Sequence, residues 1–260
     1  MEKIAAQGRV IFAIAIMAFG VENFICARFT GASVPVIPWV PPNLVWAYVT
    51  GIIFVATGLC IAINFRPRWA AILLGMFFLV CVLVLQIPRA FRDSFSRTGT
   101  FEILALCGGA LTLARTLPPA RYDFRQWAGM LTNFLMLGRF LFAISSVIFG
   151  IDHFLYLHFV ASLVPVWIPG GLFWAAFTGA AFIATGLSIV VKWMDRWATF
   201  LLGIMFLLWF LLLHSPRVIS AAHSHNPNEW SSAFMALGMC GASWTIASVS
   251  LRHRQTKAMG

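Results

Sequence analysis

Side chains that can do chemistry occur together in one apolar stretch, FGIDHFLYLHF, at residues 149–159. The stretch places Asp152, His153 and His158 among aromatic and aliphatic residues. An imidazole changes charge near neutral pH, relays protons and binds metals. A carboxylate in an apolar run is costly unless it is paired, protonated or faces a cavity. The stretch therefore predicts a polar site in apolar surroundings.

A related stretch, FGVENFICARF, occurs at residues 19–29. When the two halves of the chain are aligned, GRVIFAIAIMAFGVENF falls on GRFLFAISSVIFGIDHF, and after a short gap WVPPNLVWAYVTGIIFVATGL falls on WIPGGLFWAAFTGAAFIATGL. Further along, RWAAILLG meets RWATFLLG, QIPR meets HSPR, and ALCGGALTLA meets GMCGASWTIA. This self-similarity predicts a tandem repeat. Its parts are a first unit at 1–116, a linker at 117–133 and a second unit at 134–260.

The repeat also pairs two sets of polar residues. The second unit carries Asp152, His153, His158, His214 and Arg217, and the matching positions of the first unit carry Glu22, Asn23, Arg28, Gln86 and Arg89. Both sets have an acid at the first position and an arginine at the last, whereas the imidazoles occur only in the second set. The sequence therefore predicts a ligand or proton site in the second unit, with a degenerate counterpart in the first. At about 1.5 Å of rise per residue, Asp152 and His214 can meet at the centre of that site if their helices tilt together.

Composition assigns the chain to membrane proteins. Its 260 residues are 61% hydrophobic and only 10% charged, where soluble domains have about 25% charged residues. Apolar runs of about 20 residues predict membrane-spanning helices, since backbone amides in hydrocarbon need partners within the segment. An even number of spans per unit makes the repeats parallel, with a pseudo-twofold axis along the membrane normal. Eight spans are predicted, four per unit: 9–29, 43–64, 69–88, 101–116, 138–159, 171–192, 196–215 and 232–251.

Basic residues predict the orientation of these spans, because cytoplasmic loops are enriched in lysine and arginine. Thirteen of the 18 basic residues fall on the face that holds both termini, and five fall on the other. Both termini are therefore expected in the cytoplasm, with the chain in the inner (plasma) membrane. The net charge of +10 fits this asymmetry and an affinity for anionic lipid headgroups. The basic residues are scattered through loops, which argues against nucleic-acid binding.

Three interpretations of the polar residues remain open at this point. The acids can tie helices together by hydrogen bonds, line an outward-facing ligand or proton site, or hold a metal. Metal is the least favoured, since His153 and His158 do not have the i, i+4 spacing of a helix-borne pair of ligands. A loop pair, His223 and His225, is another chelating candidate. The five cysteines form no CxxC pair, which argues against a dithiol redox enzyme.

The segments FGIDHF, LVPVWIP, TGAAFIATGLS and RWATFLLGIMFLLWFLLLHSPR resemble the DoxX-like integral membrane proteins. The resemblance covers most of each unit, so the chain looks like two family units fused in tandem. It implies a four-helix bundle per unit. DoxX and DoxD relatives are linked to thiosulfate:quinone oxidoreduction and to membrane redox assemblies, and more distant Surfeit-type relatives look like cargo receptors or chaperones, so the resemblance leaves the chemistry open, with a quinone as one candidate ligand. No set of catalytic residues carries over.

Three functions follow from these observations. The first is an accessory or quinone-interacting subunit of a membrane redox system, which needs a redox partner subunit because no haem or flavin motif is present. The second is a non-enzymatic scaffold, assembly factor or cargo protein. The third is a proton-linked carrier of a small molecule or metal, favoured by the duplication and the intramembrane carboxylates.

Overall fold

The computed structural model describes residues 2–26, 44–87, 94–118, 128–221 and 227–258, and these ranges contain helices and no strand. Helical backbone satisfies every amide within its own segment, as an apolar environment requires. The helices are α1 Glu2–Cys26, α2 Leu44–Ala62, α3 Pro67–Val80, α4 Ser94–Thr116, α5 Ala128–Leu155, α6 Leu157–Leu163, α7 Gly171–Val191, α8 Asp195–Trp209, α9 Ser215–Ala221 and α10 Pro227–Ala258. Two π-helical segments, Cys81–Gln86 and Phe210–His214, continue α3 and α8.

Seven helical stretches of the described chain are long and apolar enough to cross a membrane, as in a multi-pass membrane protein. The eighth predicted span, 101–116, lies within α4 and is not among them. Arg97, Glu102 and Arg115 lower the hydropathy of this helix. The seven are Lys3–Cys26, Leu44–Ala62, Pro67–Gln86, Gly129–Leu155, Gly171–Val191, Asp195–Ser220 and Glu229–Val249.

The lower hydropathy of α4 follows from its position among other helices. It packs against α3, α5 and α10, and nearly every residue from 103 to 114 is buried. α10 packs in turn against α1, α4 and α8, and its residues 238–249 are all buried. Both helices are therefore surrounded largely by protein, and such helices need fewer apolar residues than helices that face lipid.

Glycines permit close approaches between helices, and one such approach occurs in matching form in both units. An added Cβ on Gly108 of α4 would lie 2.5 Å from the carbonyl oxygen of Gly138 on α5. An added Cβ on Gly241 of α10 would lie 2.8 Å from the carbonyl oxygen of Gly8 on α1. Each of these contacts joins the fourth long helix of one sequence unit to the first helix of the other. Small residues let backbones come this close.

A third close contact joins the two fourth helices directly. An added Cβ on Gly109 would lie 2.5 Å from the Cβ of Ala242, and these two positions match in the sequence repeat. The turns between the second and third long helices are also alike. Asn64 and Arg66 have φ angles of 62° and 43°, and the matching Lys192 and Met194 have 58° and 50°.

Several helices extend beyond the predicted spans. α1 begins at Glu2 instead of residue 9, and α10 continues to Ala258 instead of ending at 251. α5 begins at Ala128, inside the predicted linker 117–133, of which residues 119–127 lie outside the described residues. Helical hydrogen bonding propagates readily past the end of an apolar run once a helix is nucleated, so hydropathy underestimates the length of these three helices, whereas α2 and the C-terminal end of α5 are shorter than predicted.

Candidate functional site

The candidate site lies where α1 and α5 end and α4 and α10 begin; we call this the upper end of the bundle. Asp152, near the end of α5, is 6% exposed. Its Oδ1 lies 2.5 Å from an Nη2 of Arg97 on α4, and the Thr98 hydroxyl donates to its Oδ2 at 2.9 Å. Tyr156, one turn beyond Asp152, also interacts with Arg97. We call Asp152, Arg97 and Thr98 the Asp152 site.

The two partners of the ion pair differ in their exposure. The Arg97 side chain is 34% exposed while the Asp152 side chain is 8% exposed, so the guanidinium partly faces outward and the carboxylate lies inside. A buried carboxylate with a charged partner and a hydroxyl donor is well satisfied. The charge of the Asp152 carboxylate is therefore balanced by Arg97, and its bonds to α4 help hold α4 against α5.

The matching acid of the first unit occupies an equivalent place. Glu22 of α1 is 4% exposed and accepts a hydrogen bond from the Ser231 hydroxyl of α10 at 2.6 Å. Ser231 and Thr98 match when the fourth helices are aligned in the register that pairs ALCGGALTLA with GMCGASWTIA. In that register the counterpart of Arg97 is Trp230, which contacts Phe234. We call Glu22, Ser231 and Trp230 the Glu22 site.

Both sites therefore join the first helix of one unit to the fourth helix of the other. The sequence interpretation missed Arg97, Thr98 and Ser231, because it sought partners for each acid within its own unit. A usable signal was present, since a hydroxyl occurs at matching positions of both fourth helices.

Asp152 and His214 were expected to meet at the centre of the site, and that hydrogen bond is not formed. The carboxylate of Asp152 bonds instead to α4, the helix against which α5 packs. α8, whose π-helical continuation ends at His214, packs against α7 and α10. The Nδ1 atom of His214 is buried without a hydrogen-bond partner among the described residues.

The π-helical segments position the polar residues of the third long helices. Ile87 donates its backbone N–H to Val82, and Ser215 donates to Phe210, so both bonds have the i to i−5 spacing of a π-helix. Gln86 and His214 match in the repeat and are the last residues of the two segments. A π-helical turn changes the direction of the side chains that follow and is frequent at functional sites.

His153 lies in an aromatic environment, the His153 cluster, formed by His153, Phe149, Phe182 and Trp209. Its ring stacks on Trp209 with centroids 5.9 Å apart and an interplanar angle of 15°, and it contacts Phe182 at 5.2 Å. Its Nδ1 lies 2.7 Å from the carbonyl oxygen of Phe149. Its Nε2 is buried with no hydrogen-bond partner among the described residues.

The first unit differs at the positions of this cluster. Asn23 matches His153, and its amide donates to the Thr50 hydroxyl at 3.0 Å. Cys81 matches Trp209 in the alignment of RWAAILLG with RWATFLLG. The first unit therefore satisfies its polar side chain with a helix-to-helix hydrogen bond and lacks both the imidazole and the indole.

Of the remaining predicted site residues, some lie within the described ranges and others lie outside them. Arg217 donates to the carbonyl oxygen of Leu163 at 2.8 Å and so caps α6, the short helix that carries His158. Arg28 and Arg89, the predicted counterparts of His158 and Arg217, lie outside the described residues, as do His223 and His225. Within the described ranges, no group of three His, Cys, Asp or Glu residues is placed to hold a metal ion.

Comparisons with protein-family models, with curated proteins and with solved structures find no match for this chain.

Proposed function

We propose that the chain is a tandem pair of DoxX-like four-helix units with eight membrane spans. The two close approaches of a fourth helix to the first helix of the other unit support the duplication. The contact of Gly109 with its sequence counterpart Ala242 supports a pseudo-twofold axis that passes between α4 and α10. In this proposal α4 is the remaining span, and the units are parallel, with the axis along the membrane normal.

The proposed orientation places both termini and the 117–133 linker in the cytoplasm and the upper end on the outer side of the inner membrane. Its support is the excess of basic residues on the face of the termini. A reporter enzyme that is active only in the cytoplasm, fused after Gly260, is expected to be active. Activity of a periplasm-dependent reporter at the same position would contradict this orientation.

For function, we propose an accessory, quinone-interacting subunit of a membrane redox system. The observation that carries the proposal is the His153 cluster, in which a stacked imidazole with a buried, unpartnered Nε2 lies next in sequence to a buried ion pair. A quinone headgroup is flat and amphipathic, and its polar atoms need hydrogen-bond partners at a membrane interface. Electrons would come from a partner subunit.

The test is mass spectrometry of small molecules that copurify with the full chain in mild detergent. Stoichiometric quinone is expected with the wild type and is expected to be lost in His153→Asn and Trp209→Leu, which remove the imidazole and the indole. The matched control is Asn23→Leu in the first unit, which should retain quinone. Quinone that is absent from the wild type, or equally abundant in all four proteins, would contradict the proposal.

The proton-linked carrier is a second candidate, because the two matched π-helical segments are irregularities of a kind frequent at functional sites. Reconstituted vesicles distinguish the two functions. Substrate-dependent proton uptake that requires Asp152 would favour the carrier, as would copurification of stoichiometric copper or zinc. A bound protein without any small molecule would favour the scaffold.

A further inference from the structure

Glu102 lies on the face of α4 that packs against α10. An added Cβ on Gly238 of α10 would lie 2.9 Å from Cδ2 of Leu106, and one on Gly109 would lie 2.5 Å from the Cβ of Ala242. Glu102 precedes Leu106 by four residues and Gly109 by seven, and both spacings keep side chains on one face of a helix. The carboxyl group therefore belongs to the contact between the fourth helices of the two units.

The matching position on α10 carries an apolar residue. Met235 corresponds to Glu102 in the register that pairs ALCGGALTLA with GMCGASWTIA, and its side chain is buried. Because a methionine fills this position in the second unit, packing of the two helices does not require a carboxyl group there. Glu102 is therefore a chemical difference between the units that the fold itself does not explain.

Glu102 also differs from the two acids of the upper end, since it has no partner among the described residues. Asp152 is paired with Arg97, and Glu22 accepts a hydrogen bond from Ser231. The half-buried side chain of Glu102 has neither kind of contact, and no charge or hydrogen-bond donor of the described chain acts on its carboxyl group.

The helices packed against α4 supply no counter-charge for this group. On α4 itself, the guanidinium of Arg97 is bonded to Asp152. None of the other titratable groups that the described chain carries at the upper end of these helices forms an ion pair or a hydrogen bond with Glu102. These groups are His153 on α5, Tyr156 directly after it, Glu229 on α10 and Cys81 in the π-helical continuation of α3.

An unpaired carboxyl group in such surroundings favours its protonated form. A carboxylate without a counter-charge is costly away from water, and the group takes up a proton instead. We infer that Glu102 is a proton-binding site between the two units, a neutral carboxylic acid at neutral pH that releases its proton when the pH is raised. The exposed part of the side chain gives the proton a route of exchange. The inference goes beyond the proposed function and does not depend on a quinone.

Infrared difference spectroscopy of the full chain in lipid nanodiscs tests this site, because a protonated carboxyl group has a C=O stretch that a carboxylate lacks. At neutral pH, Glu102→Gln should remove a carboxylic-acid band from the wild-type spectrum. Glu102→Met, which copies Met235 of the second unit, should remove the same band. In the wild type this band should decline as the pH is raised. The matched control is Glu22→Gln, which should retain the pH-dependent band.

Dicyclohexylcarbodiimide, an apolar reagent that reacts with protonated carboxyl groups, gives a second readout. The carboxyl proton moves to one nitrogen of the reagent and the carboxyl oxygen bonds to its central carbon, so the adduct contains every atom of both. Mass spectrometry of peptides should locate the adduct at Glu102 in the wild type and in Glu22→Gln. Labelling should fall as the pH is raised.

Three outcomes would overturn the inference. The first is a loss of carboxylate intensity, instead of the carboxylic-acid band, in both Glu102→Gln and Glu102→Met. The second is a Glu102 band that persists unchanged at alkaline pH, because that group would not exchange its proton. The third is an adduct at Asp152 or Glu22 in place of Glu102. None of these measurements depends on copurified quinone, so the inference and the proposed function can fail separately.

Discussion

The Asp152 site and the Glu22 site occupy equivalent places at the upper end, and they differ in chemistry. Each has a buried acid on a first helix and a hydroxyl donor on the fourth helix of the other unit, Thr98 or Ser231. Only the Asp152 site has a guanidinium at the next position, where the Glu22 site has Trp230. The backbone arrangement is thus shared, and the charge arrangement is not.

The comparison separates two kinds of requirement on the sequence. Close backbone approach at Gly108 and Gly241 admits few side chains, so both units keep glycine there. Many side chains can form a hydrogen bond between helices, and Asn23 forms one at the position that His153 occupies in the second unit. An imidazole that titrates or accepts a ligand proton has no such substitute. We therefore expect the two units to be similar in stability and different in function.

The largest expected effect comes from Arg97→Met, which leaves the buried carboxylate of Asp152 without its cation. Removal of one partner from a buried pair is strongly destabilising, and with Arg97 partly exposed we expect a loss of about 2–3 kcal/mol in the free energy of unfolding. Denaturation with SDS in mixed micelles measures it. The control is Trp230→Met, which loses only ring contacts and should cost about 1 kcal/mol. Equal losses of unfolding free energy in the two variants would mean that the ion pair does not make the Asp152 site more stable than the Glu22 site.

Substitution of the glycines at the close helix contacts should destabilise the two units equally. Gly108→Ala and Gly241→Ala each place a methyl group against the backbone of the facing helix, and overpacking of this kind costs about 1–3 kcal/mol. Both variants should lower the free energy of unfolding by similar amounts in the same denaturation assay. Gly129→Ala, where an added Cβ meets nothing within 4 Å, is the control and should be neutral. A large difference between the first two variants would argue against equivalent packing.

Neutralisation of the acids should sharpen the difference between the sites. Asp152→Asn leaves Arg97 charged without its carboxylate, and we expect a loss of about 1–2 kcal/mol together with altered ligand binding. Glu22→Gln keeps an oxygen acceptor for Ser231, so the loss should be only about 0.5 kcal/mol, with ligand binding unchanged. Paired unfolding and binding measurements test this. Identical behaviour of the two variants in both assays would contradict the hypothesis that the two sites differ in function.

The smallest effects are expected from the two hydroxyl donors. Thr98→Val and Ser231→Ala each remove one hydrogen bond between helices, and such bonds contribute about 0.6 kcal/mol on average in membranes. The two losses should agree within the error of the denaturation assay. A loss above about 2 kcal/mol in only one of them would show that its hydrogen bond belongs to a larger network.

Much of the fold was predictable from hydropathy and self-similarity. The predicted span 171–192 became α7, Gly171–Val191, and 196–215 became α8 with its π-helical continuation to His214. The expectation that an acid in this apolar stretch is paired also agrees with the Asp152 site. Its partner was not predictable in the same way, because Arg97 lies far earlier in the chain and belongs to the other sequence unit.

The sequence by itself determined that this chain is helical and apolar, that it repeats itself, and that only its second half carries imidazoles near an acid. Apolar length and residue type are local properties, so they are readable without a structure. Only the tertiary structure decided which helices meet. Lipid is as apolar as a leucine side chain, so membrane helices select neighbours by close fit rather than by hydrophobicity. The glycine contacts of α4 with α5 and of α10 with α1 make that selection, and they give Asp152 and Glu22 their partners.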